Sequence, residues 1–263
     1  MSKIVFAIGA YPGDIESMMG GTILLLQQAG CEVHFMNMAN GCCGSNRSGY
    51  EENIRIYQHE AMKAASLAGA VYHKSMVDDL NVTYSQDLIE KMTSLIREIK
   101  PDIILTHGPY GNSEDNVNTS RVVVTSALAR SMINAECNPF VPIDNHDVAI
   151  YHSVPLDTCD QYCNAVCPEI NVDISSVITQ KNKILEQYKS QNLWLAMNGC
   201  RFSGTEEISC EDMLESHERW IRHKHHGLCE CSDNPLVDIL KRKVILGSGN
   251  SLDSSKYEEA VTC

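Results

Sequence analysis

The 263-residue sequence predicts an α/β fold with a mostly parallel sheet. Three observations carry that expectation. Residues 4–8 form a continuous apolar run, as a strand buried on both faces requires. Leu88, Ile89, Met92, Leu95, Ile96 and Ile99 recur at helical spacing. Through the first half of the chain, strand-length and helix-length segments alternate, which argues for parallel strands joined by crossover helices. The architecture that follows is a Rossmann-like sheet with an irregular C-terminal layer.

The elements follow in chain order. Residues 4–8 are the first strand. Residues 17–29 have the length and apolar content of a helix, with Gly30 as its C-cap. Residues 32–38 read as the second strand, and 41–49 as a Gly/Ser/Asn loop. Residues 51–68 show helical spacing and end at Gly69. Residues 71–76 are a short third strand. The helix ending at Ile99 has Ser85 as its cap, Asp87 in its first turn, Lys100 in its last and Pro101 as its stop. Residues 102–107 form the fourth strand, 118–132 a helix and 148–152 the fifth strand. Beyond these, 159–167 is a short insertion, 170–174 an edge strand, 177–194 a helix, 199–211 a loop and 211–222 a helix. Residues 235–246 form a last short helix and strand. One domain spans 1–246, and the polar, Ser-rich segment 247–263 is a frayed, disordered tail. No internal repeat is present.

Composition narrows the functional classes. Hydrophobic residues make up 43% and charged residues 21%, a globular mix. Asp and Glu outnumber Lys and Arg by 34 to 21, giving a net charge of −13, and no basic run occurs. A nucleic-acid groove or an anionic-membrane patch is therefore not expected. No apolar run reaches the roughly 18 residues of a membrane span. The first ten residues lead into a Gly/Pro turn without a cleavage site, so they read as a core strand of a cytoplasmic protein. In that compartment the twelve cysteines are thiols.

In an open parallel sheet, ligands bind beyond the carboxyl ends of the strands. Three loops qualify: 9–16, 39–49 and 107–118. The first lacks G-x-G-x-x-G, and Pro12 stands where amides would face a pyrophosphate, so a dinucleotide is excluded. Gly20 and Gly21 fit close helix–sheet packing instead.

Four segments carry a family resemblance. They are Ala10-Tyr11-Pro12-Gly13-Asp14-Ile15-Glu16 with Met19-Gly20-Gly21-Thr22, then Thr106-His107-Gly108-Pro109 with Glu114 to Thr119, then Lys181 with Tyr188-Lys189-Ser190-Gln191, and Glu218-Arg219-Trp220. In order and spacing, over roughly residues 3–230, the chain resembles the PIG-L/LmbE family of zinc-dependent N-deacetylases and amidases. The resemblance implies a Rossmann-like fold, a zinc ion and an N-acyl amino-sugar substrate. Carried over by position, the family's zinc ligands fall on Tyr11, Asp14 and Asn116, and its general base on Gly13. Its acid/His pair falls on Gly111 and Ser113, and its helix histidine on Tyr188. Asp115 and His107 remain as catalytic candidates. Tyr11, Asn116, Tyr188 and Asp79 are candidate ligand-binding residues, with Asp78 beside Asp79 at the pocket rim.

Residue chemistry separates three functional readings. A catalytic zinc needs about three His, Asp, Glu or Cys ligands and an open position. Here only Asp14 is a good ligand, so tight zinc is not expected. An all-oxygen set of Tyr11, Asp14, Asp115 and Asn116 suits weak Mg²⁺ or Ca²⁺, and Asp14 and Asp115 also suit helix starts. The first reading is a non-catalytic or weakly active relative keeping a carbohydrate-type pocket. The second is a zinc-dependent N-deacetylase, a hydrolase of linear amide bonds. The third is a repurposed enzyme using another metal or Cys/His chemistry, with Cys42 or Cys43 as nucleophile and His107 as base. The partner is a small molecule, and a homo-oligomer is compatible with all three. Two further groups stand out: Cys159, Cys163 and Cys167, expected as a helical stripe of thiols, and His223, His225, His226, Cys229 and Cys231, expected as a polar helix end.

Overall fold

The computed structural model describes residues 2–44, 49–111, 113–155, 158–190, 217–224 and 234–240. The elements are β1 (Ile4–Gly9), α1 (Asp14–Met18), α2 (Gly20–Gln28), β2 (Glu32–Asn37), α3 (Tyr50–Leu67), β3 (Val71–His73), α4 (Gln86–Ile99) and β4 (Ile103–His107). They continue with α5 (Glu114–Ala129), β5 (Ala149–Ser153), β6 (Ile170–Asp173), α6 (Ile178–Leu185) and β7 (His217–Arg222). Residues 235–240 add a turn of helix. The strands form one seven-stranded sheet in the order β3-β2-β1-β4-β5-β7-β6. The first five are parallel, and β7 runs antiparallel to both β5 and β6.

Strict alternation along the central strands divides the core in two. Val5, Ala7, Ile103 and Leu105 face α2, α3 and α6, where Ile23, Leu24, Leu26, Ala61, Ala64, Ala65 and Ile184 are buried. Phe6, Ile8 and Ile104 face α4 and α5, packing on Met92, Ile96, Val122 and Val123. Each of the larger of these side chains contributes about 1.5–3 kcal/mol on burial, which is why the central strands are apolar on both faces. The crossovers leave β1 and β4 toward opposite faces, so a crevice opens between their carboxyl ends.

The structure departs from the sequence expectation at several points. The helix expected over 17–29 is two helices that meet at Met19, whose φ of −129° interrupts the turn. Gly20 and Gly21 open α2 rather than lying within it. A Cβ on Gly21 would stand 2.6 Å from Ile174, so the expected close packing is real. Residues 217–222, expected as helix, are strand β7. Glu218 and Trp220 are buried on alternate positions, a period of two that the surrounding charged residues mask. The segment 159–167 is not a helix. Cys159 pairs with Ala165 in a bridge, and Asp160 gathers the Tyr162 and Asn164 amides into a tight turn, so the three cysteines share no helical face. Residues 191–216, His225, His226, Cys229, Cys231, the strand over 241–246 and the tail 247–263 lie outside the described residues.

Two buried cations fix the frame. Lys181 Nζ lies 2.7 Å from Glu218 Oε1, and the same carboxylate accepts the Gly21 and Thr22 amides at 2.8 and 2.7 Å. The first turn of α2 has no helical acceptors for these amides, so Glu218 supplies them. Trp220 Nε1 donates to Thr22 Oγ1. Arg97, 2% exposed, donates to the carbonyls of Ala129, Arg130, Met132, Ala135 and Val141, satisfying the end of α5 and the loop beyond it.

Candidate functional site

The site gathers at the carboxyl ends of β1, β2 and β4. Gly13 has φ 100° and precedes α1, a turn that an L side chain rarely adopts. This turn brings Asp14 back onto its own loop, and its Oδ2 accepts the Tyr11 amide at 2.8 Å. From β4, His107 places Nε2 3.0 Å from the same Oδ2. The Ala10 amide also donates to His107 Nε2, at 3.0 Å. From the start of α5, Asn116 points its amide nitrogen at both groups, 3.0 Å from His107 Nε2 and 3.3 Å from Asp14 Oδ2. The Ser113 hydroxyl bonds the other end of the amide, at Asn116 Oδ1. With its proton on Nδ1, His107 accepts the Ala10 and Asn116 N–H groups at Nε2; the 3.0 Å approach of that Nε2 to Asp14 Oδ2 is then a contact between two acceptors, and it becomes a hydrogen bond only when Nε2 carries a proton. His107 is 2% exposed and Asp14 about a quarter exposed at its side chain.

Beside this triangle lies an acidic group. Asp115, buried in the first turn of α5, accepts the Leu80 amide at 2.7 Å. The Tyr11 hydroxyl faces Asp115 and Ser113, and burial together with the Asp115 carboxylate holds its pKa far above the usual phenol range. Asp79, also buried, clamps the next loop, accepting the Gly41 amide at 2.7 Å and the Cys43 amide at 2.8 Å. Burial raises its pKa; the two amide bonds oppose that, while the charges of Asp115 and Asp78 add to it. Asp78 is held by Asn40 Nδ2 and the Tyr50 hydroxyl.

The structure thus brings together Tyr11, Asp14, His107, Asp115 and Asn116, with Asp79 at their edge. Tyr188 sits apart. Its side chain is in the core beneath the Gly13 turn, and its hydroxyl donates to Glu16 Oε1 at 2.8 Å. Asp14 and Asp115 lie in first helical turns, but the side-chain cap of α5 is Ser113, which accepts the Asn116 amide. Cys42 bonds to Asn40, and its sulfur lies against Cys43. Burial pushes the Cys42 thiol up to about 11, so it is not a ready thiolate at neutral pH. No hydrogen bond joins either cysteine to His107, so a Cys–His nucleophile pair is not assembled among the described residues.

Sequence reasoning missed two features. The carboxyl of Glu16 is buried, with Oε2 unpartnered, and burial raises its pKa to about 7. An acid two residues from Asp14 gives no signal of burial when read in sequence alone. The second is a histidine relay: His152 Nδ1 donates to the His107 carbonyl at 2.7 Å, and its Nε2 lies 2.9 Å from His223 Nδ1. Burial lowers His152 to about 4, so it stays neutral. A separate groove of about 270 Å³, lined by His73, Lys74, Lys91 and Pro139, shares no residue with the site.

Comparison with known proteins follows the same residues. Residues 6–127, from β1 through most of α5, match the family model described as PIG-L, GlcNAc-PI de-N-acetylase. The diacetylchitobiose deacetylase of Thermococcus kodakarensis is 27% identical over 111 residues, 41% of this chain and 42% of that protein. The match therefore spans less than half the length of that curated relative. The structure of N,N'-diacetylchitobiose deacetylase from Pyrococcus horikoshii is similar with a TM-score of 0.66 at 21% identity, covering 84% of each chain. GalB, the 4-carboxy-2-hydroxymuconate hydratase of Pseudomonas putida, has a TM-score of 0.63 at 16% identity, covering 88% of this chain and 99% of its own. No described helix is long and apolar enough to cross a membrane. Over residues 6–127, and in the motifs they carry, the chain is similar to the PIG-L/LmbE family.

Proposed function

We propose that the chain is a deacetylase-type PIG-L protein whose site binds a small polyhydroxylated ligand of the amino-sugar class without hydrolysing it by zinc chemistry. The observation that carries this is the donor set at the family's ligand positions: Asp14 is the one anionic ligand, beside the Tyr11 phenol and the neutral Asn116 amide, whose N–H groups meet Asp14 and His107. The remaining donors agree. The Tyr11 hydroxyl holds its proton tightly, the His107 Nε2 lone pair receives the Ala10 amide, and position 13 is glycine, with no group to take a proton from water. The donor set at these positions does not fit zinc, which needs about three His, Asp, Glu or Cys ligands.

The same groups suit a ligand rich in hydroxyls. Asp14 and Asp79 keep acceptor capacity, the Tyr11 oxygen, its own proton directed at Asp115, adds another acceptor, and the Asn116 amide turns its N–H groups into the same space. Such mixed sets orient small polar ligands in otherwise apolar clefts. His107 and Asp115 hold Asn116 and Tyr11 in place. The solved structures of this fold include a hydratase as well as deacetylases, so the fold itself leaves the reaction open.

The second reading, zinc-dependent N-deacetylation, is favoured by the similarity to the de-N-acetylase family and to the Thermococcus deacetylase. One experiment separates the two. Thermal unfolding is followed with N-acetylglucosamine and diacetylchitobiose, with and without chelator, while amine release is measured in parallel. The binding reading expects stabilisation by about 2.7 kcal/mol at a hundredfold excess over Kd, undiminished by chelator, and no amine. Amine release that a chelator stops and Asp14→Ala abolishes overturns it in favour of the deacetylase. Absence of any stabilisation overturns the sugar pocket.

A further inference from the structure

Among the described residues, one group of three metal-capable side chains converges: Cys42, Cys43 and Asp79, whose ligand atoms all lie within 4.8 Å of one another. We propose that this group is a thiolate-rich binding site for a single divalent zinc-like cation, separate from the positions at which the family resemblance would place zinc. It goes beyond the sugar-binding reading and does not depend on it.

The sulfur geometry is the first support. Cys42 Sγ and Cys43 Sγ lie 3.7 Å apart. Two thiolates bound tetrahedrally at a Zn–S distance of about 2.3 Å stand about 3.8 Å apart. The pair thus already has the spacing of two ligands on one ion. Neighbouring residues have Cα atoms about 3.8 Å apart, short of the usual disulfide range of about 4.4–6.8 Å, so pairing into a disulfide is disfavoured and chelation is the easier role.

The loop is held in that shape before any ion arrives. Asp79 accepts the Gly41 and Cys43 amides, Asn40 accepts the Cys42 amide, and Asn53 donates to the Cys42 carbonyl at 2.9 Å. Gly41 has φ 81°, and a Cβ there would stand 2.7 Å from the Tyr57 ring, so the turn admits glycine alone. Each Asp79 oxygen accepts one of these bonds and keeps further acceptor capacity for a cation. Cys42 is buried and Cys43 exposed, which gives an ion a route in from one side. Asp78 and Asp115 add negative charge around Asp79, a field that attracts a cation. Two sulfurs and one oxygen select a borderline-soft ion over Mg²⁺ or Ca²⁺. Three protein ligands leave a fourth position for water or a small ligand.

Binding is balanced by loss of two protons: each thiol releases its S–H proton to solvent as its sulfur bonds the ion, and nothing is oxidised or reduced. Affinity therefore rises with pH.

The test is titration of the reduced, metal-free, tag-free full chain with Co²⁺, followed by near-ultraviolet thiolate-to-cobalt charge-transfer absorption. One equivalent should saturate the band, with two protons released and Zn²⁺ displacing cobalt. Cys43→Ser should roughly halve the band and weaken binding by about tenfold or more, since even loss of an outer partner costs about 10–100-fold. Cys43 is exposed, so this variant folds even if Cys42→Ala does not. Asp14→Ala should leave the band unchanged. No band at one equivalent, a band unchanged in Cys43→Ser, or a band lost in Asp14→Ala would each overturn the assignment. The last outcome would also place the metal at the family position, whereas the first two leave the sugar-binding reading untouched.

Discussion

Replacing Glu16 by glutamine should remove a pH dependence that the wild-type fold carries within its core. Glu16 is 1% exposed, its Oε1 accepts the Tyr188 hydroxyl, and its Oε2 has no partner. Burial is the main cause that raises its pKa from the ordinary 4.5 to about 7; the Tyr188 bond and the nearby Glu16 and Gly13 amides work against it, and the Asp14 charge adds to it. Between those two values the folded chain holds a proton that the unfolded chain has lost. The stability linked to this group is therefore fully present below about pH 4.5 and falls as pH rises to about 7. Two and a half pH units at about 1.4 kcal/mol each give a loss of about 3 kcal/mol, constant above pH 7. The glutamine side chain would keep an acceptor for Tyr188 and could not ionise. The difference in unfolding free energy between Glu16→Gln and wild type should thus grow by about 3 kcal/mol in favour of the variant between pH 4.5 and 8. Urea unfolding at a series of pH values measures this, and the other titrating groups cancel in the difference. Any fixed cost of placing the new amide is the same at each pH and does not alter the slope. A difference flat to within about 0.5 kcal/mol across that range would refute the reasoning, because Glu16 would then ionise as easily in the core as in water.

Three further outcomes follow from the same contacts. Lys181→Met or Glu218→Gln alone should cost about 3–5 kcal/mol in urea unfolding, because each strands the other buried group; the double substitution should recover part of that loss. Gly41→Ala should cost more than the roughly 1 kcal/mol of a left-handed alanine, since its Cβ also meets Tyr57, and cobalt affinity should fall with it. The combined change Tyr11→His, Gly13→Asp and Asn116→His restores three family-type groups beside Asp14. Elemental analysis should then find about one additional zinc per chain that Asp14→Ala releases, and an unchanged zinc content would show that the loop cannot hold these ligands in register.

The uneven legibility of this chain has a physical pattern. Strands β1, β4 and β5 were readable because a strand buried on both faces is largely apolar, and α4 because one of its faces alone is buried. β7 was not, because its burial alternates Glu218 with Trp220. A buried glutamate reads as polar until its partner, Lys181 on a distant helix, is known. The break at Met19 was hidden for a related reason. Both halves of that segment are apolar, and the partner that takes up the first amides of α2 is Glu218, nearly two hundred residues on in β7. The site shows the same limit. Tyr11, Asp14, His107, Asp115, Asn116 and Asp79 were visible as residue types in loops that the topology brings to one edge. Their mutual orientation was not, because it rests on separate loops bringing Asn116, Asp14 and His107 within 3.3 Å of one another. Likewise Cys42 and Cys43 gain meaning only when parallel pairing of β2 with β3 carries Asp79 beside them. Local chemistry was therefore legible wherever one residue suffices, and hidden wherever function depends on two loops meeting.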